Sequence, residues 1–183
     1  MNTERISPAS IKSFFDKLVK MSFFDLGKEQ DGEAATYLTE MLTEFARAEK
    51  LYKMRDSKGK KASTIVDILL ESNNIPEDST ESEREVRKYV GDFSLFMSGI
   101  FRDYVKRGSY LRYYMNEGIK SYFAVSRLDL EMGKGDPIMF SKLSREFEFY
   151  SGALDYMRRV YFTQDKAGDP LASFTYQISK LEH

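Results

Sequence analysis

The stretch from Val86 to Leu128 constrains the fold most, because apolar residues recur there every three or four positions along two consecutive segments. The first segment has them at Val86, Tyr89, Val90, Phe93, Met97, Ile100, Phe101 and Tyr104. The second segment has its inward stripe at Leu111, Met115, Gly118, Ile119, Tyr122 and Val125. This spacing places each set on one side of an α-helix. The short break between the two segments predicts an antiparallel helical hairpin.

The first helix of this hairpin is unusually apolar. Leu95 and Phe96 widen its apolar arc, so we expect it to be covered on more than one side. Gly108 is predicted to end it in the left-handed conformation, and Ser109 to start the second helix.

Three glycines lie inside the predicted hairpin helices, at Gly91, Gly99 and Gly118. A glycine within a helix costs about 1 kcal/mol relative to alanine, so each position needs a compensating reason. Close approach of a neighbouring helix is the expected reason, and a gap left for a ligand is the alternative.

A third long helix is predicted from residue 138 to residue 163. Asp136 and Pro137 precede it as a side-chain cap and a first-turn proline. Its stripe, in alternating steps of three and four, consists of Phe140, Leu143, Phe147, Tyr150, Leu154, Met157 and Tyr161. Such a seam is typical of a helix that packs at a shallow angle against long neighbours.

Flanking helices are predicted from Pro8, around Leu38, after Ser63 and after Pro170, and no segment has the alternating pattern of a strand. We therefore predict an all-α fold, a bundle of six or seven helices centred on the 86–128 hairpin and the 138–163 helix. A chain of 183 residues is expected to form one domain, over residues 1–180.

The chain has no cysteine, which excludes disulfides, a thiolate nucleophile and cysteine metal sites. Its one histidine belongs to the sequence Leu181-Glu182-His183, which is typical of a cloned linker and histidine tag at residues 181–183. On this interpretation the natural chain ends near Lys180 and lacks the usual general base at neutral pH. We predict no catalytic residue, and therefore lean against an enzyme.

Charge and hydropathy point to a cytoplasmic protein. The formal net charge is -1 and the pI is near 6.0, which gives no global reason to expect nucleic acid. The basic run from Lys50 to Lys61 could touch a phosphate backbone, but a solvated loop is the commoner outcome. No apolar run is long enough for a membrane span, and the first residues lack a secretory signal pattern.

The aromatic content, 14% of the chain and without tryptophan, is the unusual quantity. Buried tyrosine needs a partner for its hydroxyl, and Asp92, Ser94, Ser98, Arg102, Asp103 and Arg112 are the nearest polar candidates. A structural role for these rings is favoured. The alternative is an aromatic-walled pocket for a small apolar or acyl-like ligand. Its candidate ligand-binding residues are Phe93, Met97, Arg102, Tyr114, Tyr122 and Tyr150.

Acidic residues cluster at Asp25/Glu29/Asp31/Glu33, Asp129/Glu131 and Glu146/Glu148. Carboxylates can hold hard ions such as magnesium and calcium. Adjacent or alternate positions nevertheless point to different helix faces, so these clusters are interpreted as solvated loops and surfaces. We predict no metal and no cofactor.

The segments GDFSLFMSGIF and YYMNEGIKSY, between Gly91 and Tyr122, resemble a group of uncharacterised bacterial all-helical proteins of unknown function. The resemblance consists of aromatic, glycine and serine positions. It implies a bacterial, helical protein and supplies no functional residues.

These observations leave three possible functions. The favoured hypothesis is a cytoplasmic helical protein-interaction module without catalytic activity, binding an unknown protein partner or a second copy as a homodimer. The alternative is the small-ligand-binding protein described above. An enzyme would need carboxylate, lysine, tyrosine or arginine groups alone, and no spacing specifies one.

Overall fold

The computed structural model of the protein describes residues 8–46 and 80–162. Within these ranges the chain forms seven helices and no strand, which confirms the predicted all-α class. The helices are α1 (Pro8–Asp25), α2 (Gly32–Ala46), α3 (Thr80–Gly99), α4 (Arg102–Arg107), α5 (Leu111–Met132), α6 (Pro137–Arg145) and α7 (Phe147–Tyr161).

The antiparallel pair of α3 and α5 is the centre of the bundle, as the apolar stripes predict. Every residue from Val90 to Phe101 is buried, so α3 is covered on more than one side. Helix α5 packs along one side of it and α7 along another. From α2, the ring of Phe45 stacks on Phe96 with 4.7 Å between centroids. The apolar arc of α3 is therefore the core of the described fold.

The hairpin turn differs in detail from the prediction. Helix α3 ends at Gly99, and the separate short helix α4 precedes the turn. Ser109 has the positive φ, 63°, whereas Gly108 has a φ of -82°. A methyl group on Gly108 would lie 2.7 Å from Cδ2 of Tyr110, so the glycine makes room for that ring. The prediction of a left-handed Gly108 was wrong because packing, and not backbone freedom, selects glycine there.

The predicted 138–163 helix is divided at Glu146 into α6 and α7. Its predicted start is confirmed, because the side chain of Asp136 accepts a hydrogen bond from the Met139 N–H at 2.9 Å and Pro137 is the first helical residue. The division lets α6 pack mainly on α5, while α7 packs on α3 and α1. The apolar stripe stays inward on both sides of the break.

The three hairpin glycines all face a neighbouring helix. A methyl group built on Gly91 would lie 2.6 Å from Cε1 of Tyr122, and one on Gly99 would lie 2.5 Å from Cβ of Leu154. One on Gly118 would overlap the ring of Phe147. Close helix approach, the expected reason for these glycines, is therefore confirmed.

Several predicted features lie outside the described residues, namely the basic run, the helices after Ser63 and Pro170, and the tag-like residues 181–183. Among the described helices, none combines the length and the apolar character needed to cross a bilayer.

Candidate functional site

Five of the six predicted ligand-binding residues lie in the core. Phe93, Met97, Tyr114, Tyr122 and Tyr150 are buried, and all belong to one apolar cluster. The sixth, Arg102, is half-buried and lines an open groove that contains none of the other five. The structure therefore separates Arg102 from the aromatic residues with which the sequence had grouped it.

Asp92 accepts hydrogen bonds from two tyrosines in the centre of the bundle. The hydroxyl of Tyr37, on α2, donates to its Oδ1 at 2.5 Å, and that of Tyr122, on α5, donates to the same oxygen at 2.7 Å. Lys88, one turn earlier on α3, donates to Oδ2 at 3.1 Å. The prediction that Asp92 serves a buried tyrosine is confirmed. The group ties three helices together through one carboxylate.

Burial and charge keep these tyrosines as hydrogen-bond donors. Burial, assisted by the adjacent carboxylate, raises the pKa of both Tyr37 and Tyr122 well above the ordinary tyrosine value. Burial also disfavours the charged form of Lys88, but the attraction of Asp92 outweighs it and raises the pKa of Lys88. Both tyrosine hydroxyls therefore stay protonated at neutral pH and can donate to Asp92, which stabilises the fold.

A second network surrounds Asp31, which precedes α2. Tyr150 donates to its Oδ2 at 2.7 Å, and Lys142 forms an ion pair with its Oδ1. Tyr150 also donates to Glu146 at 3.2 Å, and Glu146 pairs with Lys28 at 3.0 Å. Burial pushes the pKa of Asp31 upward, but the bonds from Lys142 and Tyr150 outweigh it and hold that pKa below its usual value.

This network predicts a loss of stability in acid. Because the folded-state pKa of Asp31 is lowered, its contribution is complete above the ordinary value of 3.8 and disappears as the pH falls through the lower, folded value. We expect the free energy of unfolding, from urea titrations at a series of pH values, to fall less steeply below that point in D31N than in the parent protein. E29Q, which changes an exposed carboxylate in the same loop, should keep the parent slope. A D31N slope equal to that of the parent would show that Asp31 is not the group being titrated.

The prediction that the acidic clusters are solvated was wrong for one residue in each of two clusters, whereas Asp25, Glu29, Glu33 and Glu131 are exposed as predicted. Asp31 and Asp129 are both buried, because each has a cation and further donors from distant parts of the chain. Arg84 donates to both carboxylate oxygens of Asp129, from Nε to Oδ1 at 2.8 Å and from Nη2 to Oδ2 at 3.3 Å. The backbone N–H of Asp136 also donates to Oδ2 of Asp129, at 3.1 Å. Within the two described ranges, no three acidic or histidine side chains are grouped so that they could hold a metal ion.

Tyr114 differs from the other buried tyrosines. Its ring lies 6.3 Å from that of Phe93, and its buried hydroxyl has no hydrogen-bond partner among the described residues. Burial raises the pKa of this hydroxyl above the ordinary value. Tyr114 is therefore a core ring whose hydroxyl forms no hydrogen bond within residues 8–46 and 80–162.

The groove beside Arg102 lies between α4, the start of α5 and the start of α7, and has a volume of about 540 Å³. We call it the basic groove. It is lined by Arg102, Lys106, Ser109, Leu111, Arg112, Met115 and Glu148. Three cationic side chains thus face a single carboxylate, although the whole chain carries a net charge of -1. Local charge excess of this kind favours an anion.

A second surface lies on the outer side of α5 and α6. Phe123, Arg127 and Leu130 follow one another at steps of four and three, so they share a face of α5. The hydroxyl of Ser126 donates to the Pro137 carbonyl at 2.7 Å, which holds the start of α6, and with it Ile138, against this part of α5. We call Phe123, Leu130 and Ile138 the apolar face.

Sequence reasoning missed both surfaces. Arg112 was predicted only as a possible partner for a tyrosine hydroxyl, and nothing in the sequence spacing of Lys106 and Arg112 places them in one groove. The apolar face did leave a signal, since Phe123 and Leu130 lie off the inward stripe of α5 in the sequence.

Comparison with protein-family models, with curated proteins and with solved structures found no match to this chain. The resemblance of residues 91–122 to uncharacterised bacterial helical proteins therefore stays a prediction. Any function has to be argued from the surfaces described above.

Proposed function

We propose that the protein is a helical interaction module, cytoplasmic as its sequence predicts, that acts through the apolar face without catalysing a reaction. The observation that supports this is the exposure of the face: 71% for Leu130, 78% for Ile138 and 52% for Phe123. Large apolar side chains that lie together in water mark surfaces for association more often than isolated ones do.

The occupant we propose is a second copy of the chain. Arg127 lies over the ring of Phe123, 5.8 Å from its centroid, and Glu131 follows one turn later. Within the described part of the chain, neither of these two charges forms an ion pair. In a two-fold symmetric dimer, if one residue of the first copy contacts a second residue of the other copy, the reverse contact also forms. Such a dimer would let Arg127 of each copy form an ion pair with Glu131 of the other.

The size of the apolar face determines how tightly the two copies are expected to associate. Three exposed apolar side chains cover less than the roughly 800 Å² per partner of a standard stable interface. We therefore expect a weak, concentration-dependent dimer. The alternative function, a small-ligand pocket among the core tyrosines, has no specific structural observation in its favour and stays a prediction.

Sedimentation equilibrium over a wide range of protein concentration tests the dimer. The parent protein is expected to dimerise at high concentration, and the double variant L130E/I138E to remain monomeric, because two carboxylates in the contact would be desolvated without partners. V160E adds a charge at an exposed apolar residue of α7 and should leave the association constant unchanged.

Charge reversal sharpens the test. R127E alone should weaken the dimer by placing like charges opposite each other, and R127E/E131R should restore it by exchanging the two signs. A parent protein that stays monomeric at every concentration, or a double variant that dimerises like the parent, would exclude self-association through this face.

A further inference from the structure

Arg102 is an arginine held in place without a counter-ion. Its Nε donates to the Ser98 carbonyl at 2.9 Å, and its Nη2 donates to the hydroxyl of Ser151 at the same distance. The Ser151 hydroxyl in turn donates to the Ser98 hydroxyl at 2.9 Å, and both serines are fully buried. The guanidinium therefore has a fixed position, while its positive charge is balanced by no carboxylate within ion-pair distance in the described residues.

This arrangement is costly unless something else compensates it. Taking a cation even partly out of water is unfavourable, and a counter-ion would offset that cost. Glu148 lines the same groove, yet it forms no ion pair with Arg102, Lys106 or Arg112 in the described structure. The two other cations likewise have no ion-pair partner among residues 8–46 and 80–162.

The floor of the groove is apolar. Leu111 and Met115 lie one turn apart on α5 and are both half-buried, so they form an apolar strip beside the cations. Ser109 also lines the groove. The combination of a few convergent polar groups with an apolar wall is typical of small-molecule sites, and about 540 Å³ is within their usual size range.

We propose that the basic groove is a binding site for a small amphipathic anion. A carboxylate or phosphate group lies against Arg102 and accepts from the part of its guanidinium that no protein group engages, with Lys106 and Arg112 adding positive potential. An alkyl portion of a few carbons covers Leu111 and Met115. Arginine suits this role because its planar fork matches two oxygens of either group.

Titrations followed by ¹H–¹⁵N NMR test the site with four probes: octanoate, octyl phosphate, octanol and inorganic phosphate. The two amphiphiles are expected to shift the amide signals of Ser109, Arg112 and Met115 and to bind at least about tenfold more tightly than octanol, which lacks the charge. They should also bind more tightly than inorganic phosphate, which lacks the alkyl chain. The tighter of the two amphiphiles identifies the headgroup.

Variants identify the residues. R102M should weaken octanoate binding by about tenfold or more, since a charge-assisted hydrogen bond is lost. R112M removes an exposed cation that makes no hydrogen bond in the described structure, so it leaves the fold intact and should weaken binding several-fold. R145M, which changes an exposed arginine at the end of α6 outside the groove, is the matched control and should bind like the parent.

Three results would overturn the proposal. One is octanol binding as tightly as octanoate, which would leave the cations without a role. Another is equal affinity of the parent, R112M and R102M for octanoate. The third is the absence of signal changes at the groove residues with either amphiphile at millimolar concentration.

Discussion

Replacing Asp92 with alanine is expected to lower the free energy of unfolding by about 3–5 kcal/mol, the cost of removing one partner of a buried charged group. The substitution leaves the hydroxyls of Tyr37 and Tyr122 without their acceptor inside the bundle. It also leaves Lys88 without its counter-ion. Urea unfolding followed by circular dichroism measures the loss.

Two controls separate the network from the mere removal of a charge. D16A deletes a carboxylate that pairs with Lys20 on the surface of α1, and should change stability by no more than about 0.5 kcal/mol. D92N keeps an acceptor oxygen for the tyrosines but faces Lys88 with an amide, so its cost should fall between the two. A D92A protein as stable as D16A would mean that the Asp92 network contributes nothing.

A double-mutant cycle shows whether the tyrosine acts through this carboxylate. Y122F removes only the hydroxyl, and in the parent protein it should cost about 1.5–3 kcal/mol as the loss of a hydrogen bond to a charged acceptor. In the D92A background the same change should cost little, because the acceptor is already gone. Equal costs in both backgrounds would show that the two residues are not coupled.

The helical framework was predictable because it depends on local spacing. The stripes of α3, α5, α6 and α7 follow the period of the helix, and the burial of these stripes requires the helices to pack. The Asp136 cap could likewise be predicted, since it involves residues three positions apart. The break at Glu146 could not, because the apolar spacing continues through it without a change of phase.

The polar networks were predictable only in part. Asp92 could be chosen as a tyrosine partner because it lies among apolar residues in the part of α3 whose apolar arc predicts cover on more than one side. Asp31 could not be distinguished from its exposed neighbours, because the lysine that compensates it is 111 positions away. The burial of a charge depends on where its partner lies in space, and a single sequence does not contain that distance.

The candidate sites likewise combine features that local sequence predicts with features that depend on distant residues. Arg102 was selected as a polar residue on an apolar helix, which is a local property. Its neighbours in the basic groove come from α4, α5 and α7, and α4 is a separate helix that begins after α3 ends at Gly99. That break has no signal in the apolar spacing, so the groove was missed.

Replacing Gly118 with alanine is expected to destabilise the protein by about 1–3 kcal/mol, the usual cost of overpacking a core. In an isolated helix the same change would be favourable by about 1 kcal/mol, since alanine is the better helix former. Here the added methyl group would overlap the ring of Phe147, which is fully buried and contacts Tyr122 with 5.9 Å between ring centroids. Because the ring is fully buried, moving it would disturb its neighbours, and we expect the packing cost to exceed the gain in helix propensity.

Gly152 provides the matched control, because it lies within α7 and a methyl group there would meet no atom within 4 Å. G152A should therefore stabilise the protein by up to about 1 kcal/mol, and thermal or urea unfolding of the two variants should give changes of opposite sign. If the truncation F147L reduced the cost of G118A, the clash with that ring would be established as its cause. If both glycine variants proved stabilising, Phe147 would be free to shift, and the close packing of α5 against α7 would not be the reason for glycine at position 118.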